Sequence, residues 1–235
     1  MARGNRDKGE NLTTQAYKQI RADILACRIT PGQKLKISDL VARLGFSLGA
    51  VREALSRLTS EGLVLAEANK GYRVAPITRV ELEDLTATRI MIECACLKDA
   101  IAHGDLKWES EIVSSLYELS RIGLENPSDP GGVSAAWAEA HQRFHHALVA
   151  ACQSAWLMRI REMLYVQSER YRSATVPLDR SQRDLHAEHK AIADAAIARD
   201  PATAGAAMAE HLSLTTRILL DSNLVEDFEE RLKRA

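Results

Sequence analysis

The chain has 235 residues, enough for one large domain or two small ones. Hydrophobic residues make up 46% and aromatics only 5%, with much Ala and Leu, a composition that favours a mostly helical soluble protein. The net charge of −1 conceals an asymmetry. Through Ile77 the chain holds 13 Lys and Arg against 7 Asp and Glu, a net of +6, while the remainder holds 18 against 25, a net of −7. A basic first third on an acidic body fits nucleic-acid contact confined to that third. No apolar run approaches the ~20 residues that span a bilayer, and Met1–Glu10 has no apolar core after its charges. Neither a membrane partner nor a secretory signal is expected. The four cysteines (Cys27, Cys94, Cys96, Cys152) form no CxxC pair and read as reduced thiols, which fits a cytoplasmic location.

In chain order, residues 1–11 read as a flexible arm. Tyr17, Ile20, Ile24 and Leu25 recur at helical spacing and predict a helix over 12–28, stopped by Thr30-Pro31-Gly32. Ser38 is placed to cap a short helix through Leu40, Val41 and Leu44 that ends at Gly45. Ser47 is placed to cap the next, about 48–61, which turns Val51, Leu55 and Leu58 inward. Leu63-Val64-Leu65 and Tyr72-Arg73-Val74 flank Ala68-Asn69-Lys70-Gly71 as two short strands around a turn. Two helices about a tight glycine turn, followed by a hairpin, are the elements of a winged helix-turn-helix, whose second helix enters the DNA major groove.

Beyond residue 78 the pattern predicts helices near 79–102, 107–125, 133–151, 155–174, 182–198 and 201–223, broken at Gly104, Asn126–Gly132, Pro177 and Asp200-Pro201. Short connections suggest an antiparallel bundle. The fold class is therefore mainly α: a winged helix-turn-helix with a small β wing over 12–77, an all-helical domain over 78–223, and a charged tail over 224–235.

Within the second helix of the motif, Arg52 falls early, where side chains reach base edges. A bidentate Arg–guanine pair discriminates by roughly 1–3 kcal/mol. Arg57, about 140° round the helix, reads as a phosphate contact or a surface residue. Lys70 and Arg73 in the wing suit phosphate or minor-groove contact. In the bundle, His141 and His145 are four apart on one helix face, and His189 and His211 each stand about eleven residues from the Asp200-Pro201 turn. Antiparallel helices bring the latter two to one level. Imidazoles converging from three helices make a divalent-metal site, against the plainer reading of surface or singly hydrogen-bonded histidines.

From Leu35 the chain runs Leu-x4-Leu-Val-Ala-Arg-Leu-Gly-Phe-Ser-x3-Val-Arg-Glu-Ala-Leu-x2-Leu-x2-Glu-Gly-Leu-Val, preceded by Ile29-Thr30-Pro31-Gly32-Gln33-Lys34. This resembles the GntR family of bacterial transcription factors over nearly all of 12–77. The family usually has Arg after the capping Ser; Leu48 and Gly49 stand there instead, so the resemblance implies a shifted operator preference. The helical body resembles the FCD ligand-binding domain of FadR-like members through Arg89-x3-Glu93, Phe144-His145, Glu188-His189 and Ala206-x4-His211. That resemblance implies a homodimer on an inverted repeat, a metal held by His145, His189, His211 and an Asp, and an effector, a small carboxylate, facing Arg89. The implied metal is zinc, with nickel or manganese as alternatives.

The Asp is replaced here by His141. Exchanging a carboxylate for an imidazole makes the site more positive and favours zinc, copper or nickel over manganese. The resemblance thus implies a metabolite-responsive regulator, read as a repressor and not an enzyme. Two other classes share part of the pattern: a metal-dependent hydrolase on a helical bundle, and an architectural DNA-binding protein whose bundle holds no metal. The first lacks an HExxH and an evident general base.

Overall fold

The computed structural model describes residues 11–67, 70–126, 129–175, 183–222 and Val225. The expected arm up to Glu10, the Ala68-Asn69 part of the wing turn, Pro177 and nearly all of the charged tail lie outside the described residues. The chain divides into two compact units at Ile77/Thr78.

The first unit is built from α1 (Leu12–Leu25), β1 (Lys34–Leu35), α2 (Ile37–Leu44), α3 (Leu48–Ser60), β2 (Val64–Glu67) and β3 (Gly71–Val74). Asn11, expected in the arm, instead caps α1 by accepting from the Thr14 amide at 2.7 Å. α1 stops at Leu25, three residues early, where Cys27 turns into the left-handed region at φ 54°. Ser38 does not cap α2; Lys36 holds that position without a side-chain bond, because β1 delivers the chain to the helix two residues sooner. Gly45, at φ 72°, makes the left-handed turn that only glycine adopts without strain. The strands pair antiparallel in the order β1-β3-β2, and β1, a third strand, goes beyond the expected hairpin. Ile20, Ile24, Val51, Leu55, Leu58, Leu63, Val64 and Val74 are all essentially inaccessible and form the core. Each buried side chain of this size contributes roughly 1.5–3 kcal/mol.

The second unit holds α4 (Arg79–His103), α5 (Leu106–Ser120), β4 (Glu125–Asn126), β5 (Asp129–Val133), α6 (Ala135–Val149), α7 (Ala155–Thr175), α8 (Leu185–Ile197) and α9 (Pro201–Leu220). Side chains of Thr78, Asp105, Ser134, Asp184 and Asp200 accept from the first-turn amides of α4, α5, α6, α8 and α9, which fixes five helix starts chemically. The stretch expected as a plain break near 126–132 forms a small antiparallel pair, β4 with β5, and so ends α5 at Ser120 rather than near residue 125. Gly104 follows α4 where a Cβ would lie 2.2 Å from the Trp108 ring, so a side chain there forces the indole out of the core. The hydrophobic core runs through Leu97, Trp108, Ile112, Trp137, Phe144, Leu148, Ile192 and Met208. Among the described residues no helix is long and apolar enough to cross a membrane.

Candidate functional site

The helix-turn-helix presents α3 with its first turn in water. Ser47 caps it, its hydroxyl accepting from the Ala50 amide at 3.2 Å. Leu48 is 54% exposed, Gly49 has open space around its Cα, and Arg52 is exposed with no ion pair among the described residues. Arg57 is also exposed, but its guanidinium lies 3.9 Å from the Tyr17 ring centroid on α1. That stacking ties α1 to α3 and competes with any phosphate contact. Lys70 stands exposed at the wing turn.

Arg73 does not. The expectation of a wing cation for DNA is corrected by its burial: Nε donates to Glu67 at 2.8 Å, and a terminal nitrogen donates to the Gly32 carbonyl at 2.7 Å. It fastens the hairpin to the turn before β1. The Arg73 hydrogen bond is what chiefly holds the half-buried Glu67 carboxyl below its ordinary value.

In the helical unit the four singled-out histidines come together. His141 and His145 from α6, His189 from α8 and His211 from α9 are all buried, and they offer ligand atoms within 4.8 Å of one another. His145 Nε2 lies 3.1 Å from His141 Nε2, and the His189 and His211 ring centroids are 4.7 Å apart. His103, His146 and His186 are exposed and stand outside the cluster. Burial, followed for His141 by the charge of His145 and for His145 and His189 by that of His211, holds these three imidazoles well below their ordinary value. Burial lowers His211 as well, against the pull of Glu188. All four are therefore neutral near neutral pH, the form that carries a free lone pair.

Residues not singled out from the sequence orient this cluster. Glu188 Oε2 sits 2.8 Å from His211 Nδ1, and Arg183 clasps the same carboxylate with two bonds of 2.7 Å. Burial alone would raise Glu188, but the bonds from Arg183 and His211 outweigh it and hold the carboxyl at about 2. With Glu188 ionised, Nδ1 of His211 carries the proton and Nε2 keeps its lone pair, the usual support for a metal-ligating histidine. Trp137 stacks on His141 with centroids 4.6 Å apart. Arg161 donates to Glu93 at 2.7 Å and to the His145 carbonyl at 2.9 Å, all three groups being buried. The i,i+4 spacing of Trp137 and His141 was a legible signal; the Arg161 and Arg183 contacts, 68 and 5 to 28 residues from their partners, had none.

Arg89 lines a cavity of about 70 Å³ together with His141 and His211. Its Nε reaches only 3.5 Å from Glu93, and among the described residues neither that nitrogen nor Glu93 Oε1 has a hydrogen-bond partner. The helical ion pair is thus present, loosely, and Arg89 Nε lies beside the cavity. Arg172 and Arg183, with Trp137 and Tyr171, complete much of the wall.

A winged helix whose second helix shows its first turn to water, joined in sequence to a helical bundle, is the arrangement of a DNA-binding transcriptional regulator. Residues 12–74 match the family described as bacterial regulatory proteins, gntR family, and residues 84–214 match the FCD domain. The chain is 41% identical over 190 residues to the uncharacterized HTH-type transcriptional regulator BphR of Paraburkholderia xenovorans (strain LB400), covering 81% of this chain and 78% of that one. It is 35% identical over 200 residues to the HTH-type transcriptional repressor GlaR of Escherichia coli (strain K12), covering 83% and 90%. Among solved structures, E. coli McbR/YncC shares the fold with a TM-score of 0.70 at 19% identity, over 90% of this chain and 98% of that one. The chain belongs to the GntR family of transcriptional regulators and carries a C-terminal FCD domain. These families and relatives are regulators, not enzymes.

Proposed function

We propose that this regulator is a repressor that binds an inverted-repeat operator as a homodimer, with residues 12–77 reading DNA and residues 78–223 binding a small carboxylate and pairing two copies. The observation that carries the sensing half is the convergence of four buried imidazoles, two of which, His141 and His211, line a cavity together with Arg89. The donor set fits a divalent metal. Among the described residues His145 Nδ1 and His189 Nε2 are buried without hydrogen-bond partners, a cost that a bound ion or its ligands would remove. Four nitrogens with no carboxylate favour zinc, then nickel, over manganese. When bound, the metal would supply positive charge and, where a histidine yields its place, a position for a carboxylate oxygen. Arg89 offers its unspent donor to the same anion.

In the DNA half, Arg52 is the base reader, with Ser47, Leu48 and Gly49 at the DNA-facing end of α3 and Lys70 on a phosphate. Leu48 replaces a cation with an apolar side chain suited to a thymine methyl, so operator preference shifts there. The name of the E. coli relative, a repressor, supports the sign of regulation.

The test pairs two measurements on untagged protein. Elemental analysis should find about one zinc per chain. A gel shift at moderate salt should show preference for an upstream inverted repeat over random DNA, altered by one member of a carboxylate panel. Absence of metal in protein purified without chelator would remove the metal, and absence of sequence preference would remove the operator reading.

A further inference from the structure

Two guanidiniums in the wall of the cavity beside the histidines have hydrogen atoms left to give, and they differ in charge balance. Among the described residues, Arg89 Nε and Arg172 Nη1 are buried without a hydrogen-bond partner, and both residues line the cavity. Arg89 shares one carboxylate, Glu93, with Arg161. Two cations on one anion leave a positive charge unmatched at the histidine end. Arg172 is matched: Glu169 accepts from its Nε at 2.9 Å and from its Nη2 at 2.6 Å. The guanidinium lies 5.1 Å from the Trp137 ring centroid, and an indole offers no lone pair to the remaining donor.

The two donors also stand at different depths. α7 runs antiparallel to α4 through the Glu93–Arg161 and Glu81–Arg170 pairs. The backbone of Arg172 is therefore near the level of Glu81, eight residues and about 12 Å along α4 from Arg89. Its side chain turns back toward Glu169, which shortens that gap. Leu82, Leu85 and Ile218 line the cavity with them, and the Thr86 and Thr216 hydroxyls are spent on each other at 2.7 Å. A ligand that fits these walls carries its charge at one end only. A second carboxylate beside Arg172 would leave water for a guanidinium that Glu169 already neutralises, and would meet the charge of that acid. A hydroxyl or carbonyl oxygen accepts from Nη1 at a much smaller desolvation cost.

We infer, resting on the carboxylate reading above, that the effector is an acid whose other end bears a neutral oxygen, hydroxyl or carbonyl, across a short apolar spacer, and that Arg172 selects that oxygen. Isothermal titration calorimetry on the full chain tests it with butanoate, pentanoate and hexanoate, and with the terminal hydroxy acid and the diacid of each length. At the best length the hydroxy acid should bind roughly tenfold more tightly than the plain acid, the worth of one hydrogen bond to a charged donor. The diacid should bind no more tightly than the plain acid. Arg172→Lys keeps a cation for Glu169 but loses the planar fork, so the ratio of hydroxy acid to plain acid should fall toward one. Thermal unfolding checks that this variant folds, and the wild-type ratio decides the case if it does not. A wild-type ratio near one, a ratio that Arg172→Lys leaves unchanged, or a diacid that binds tightest overturns the inference and leaves the carboxylate reading standing. Binding by none of these acids at any length overturns both.

Discussion

The two units put their charges in opposite places. In the first, the core is apolar, and the cations proposed to meet DNA, Arg52 and Lys70, stand in water. In the second, Glu93, Arg161, Arg170 and four histidines are buried at the centre of the fold. A polyanion is met by an exposed array, where the charge need only be present and reachable. A small ligand is met by donors fixed in a desolvated interior, where each charge acts strongly and must itself be balanced. Substitutions at the exposed cations of the first unit should therefore change affinity without changing stability, and those at the buried charges of the second should change both.

The largest expected effect is at Arg161. Removing it as Arg161→Ala leaves Glu93, wholly inaccessible, with only the loose contact to Arg89 and frees the His145 carbonyl. Breaking a buried pair from one side costs about 3–5 kcal/mol. Urea unfolding of the full chain measures it. A loss below about 1 kcal/mol would mean that water reaches Glu93, and the contrast between the units would weaken.

Arg52→Ala probes the other side of the comparison. An exposed guanidinium with no ion pair among the described residues leaves thermal stability nearly unchanged when removed. Operator affinity should fall by roughly 5- to 150-fold, the worth of one bidentate base contact, while random-DNA binding falls less. Equal losses on both DNAs would make Arg52 a phosphate contact.

The first unit was the more legible for the same physical reason. Gly45 and Ser47 act on the backbone within three residues of themselves, so their meaning is local, and the Val51, Leu55 and Leu58 spacing faces one core. Even there the reading failed where partners are distant. Arg73 looked like a wing cation because its acceptor, the Gly32 carbonyl, is 41 residues away. The two-residue β1 carries too little alternation to announce itself, and it moved the start of α2 with it. In the bundle the four histidines were legible through spacing and turn position. Arg161, Arg172 and Arg183 were not, because a cation in a long helix is ordinarily solvated, and only the packing reveals which acid lies opposite.

Alkaline pH should separate the units by a smaller amount. Burial first, then the neighbouring Cys152 and Glu93, pushes the Cys96 thiol up to about 12, from 9.0. Tyr171 is raised as well, also through burial. Between those limits the native thiol keeps a proton that the unfolded chain has released. Stability is complete below about 9 and falls as pH rises toward the native value, by up to about 1.4 kcal/mol per pH unit for this group. Chemical unfolding of wild type and Cys96→Ala from pH 8 to 11 checks the sign. A steeper loss in the variant would contradict it. The same protection predicts that Cys96 is alkylated far more slowly than the unfolded thiol at pH 8.

The finest test sets Lys70 against Arg73, two cations three residues apart. If Lys70 neutralises one phosphate, Lys70→Ala lowers the slope of log affinity against log salt by about 1, weakens all sequences alike, and leaves unfolding untouched. Arg73→Ala should behave in reverse. Its guanidinium joins the Glu67 carboxylate and the Gly32 carbonyl beneath the surface, so its loss lowers the unfolding midpoint while the salt slope holds. A reduced slope in Arg73→Ala would show that the guanidinium leaves Glu67 for a phosphate when DNA arrives. In that event the wing, and not only α3, would rearrange on binding, and the division between outward and inward charge would hold for the free protein alone.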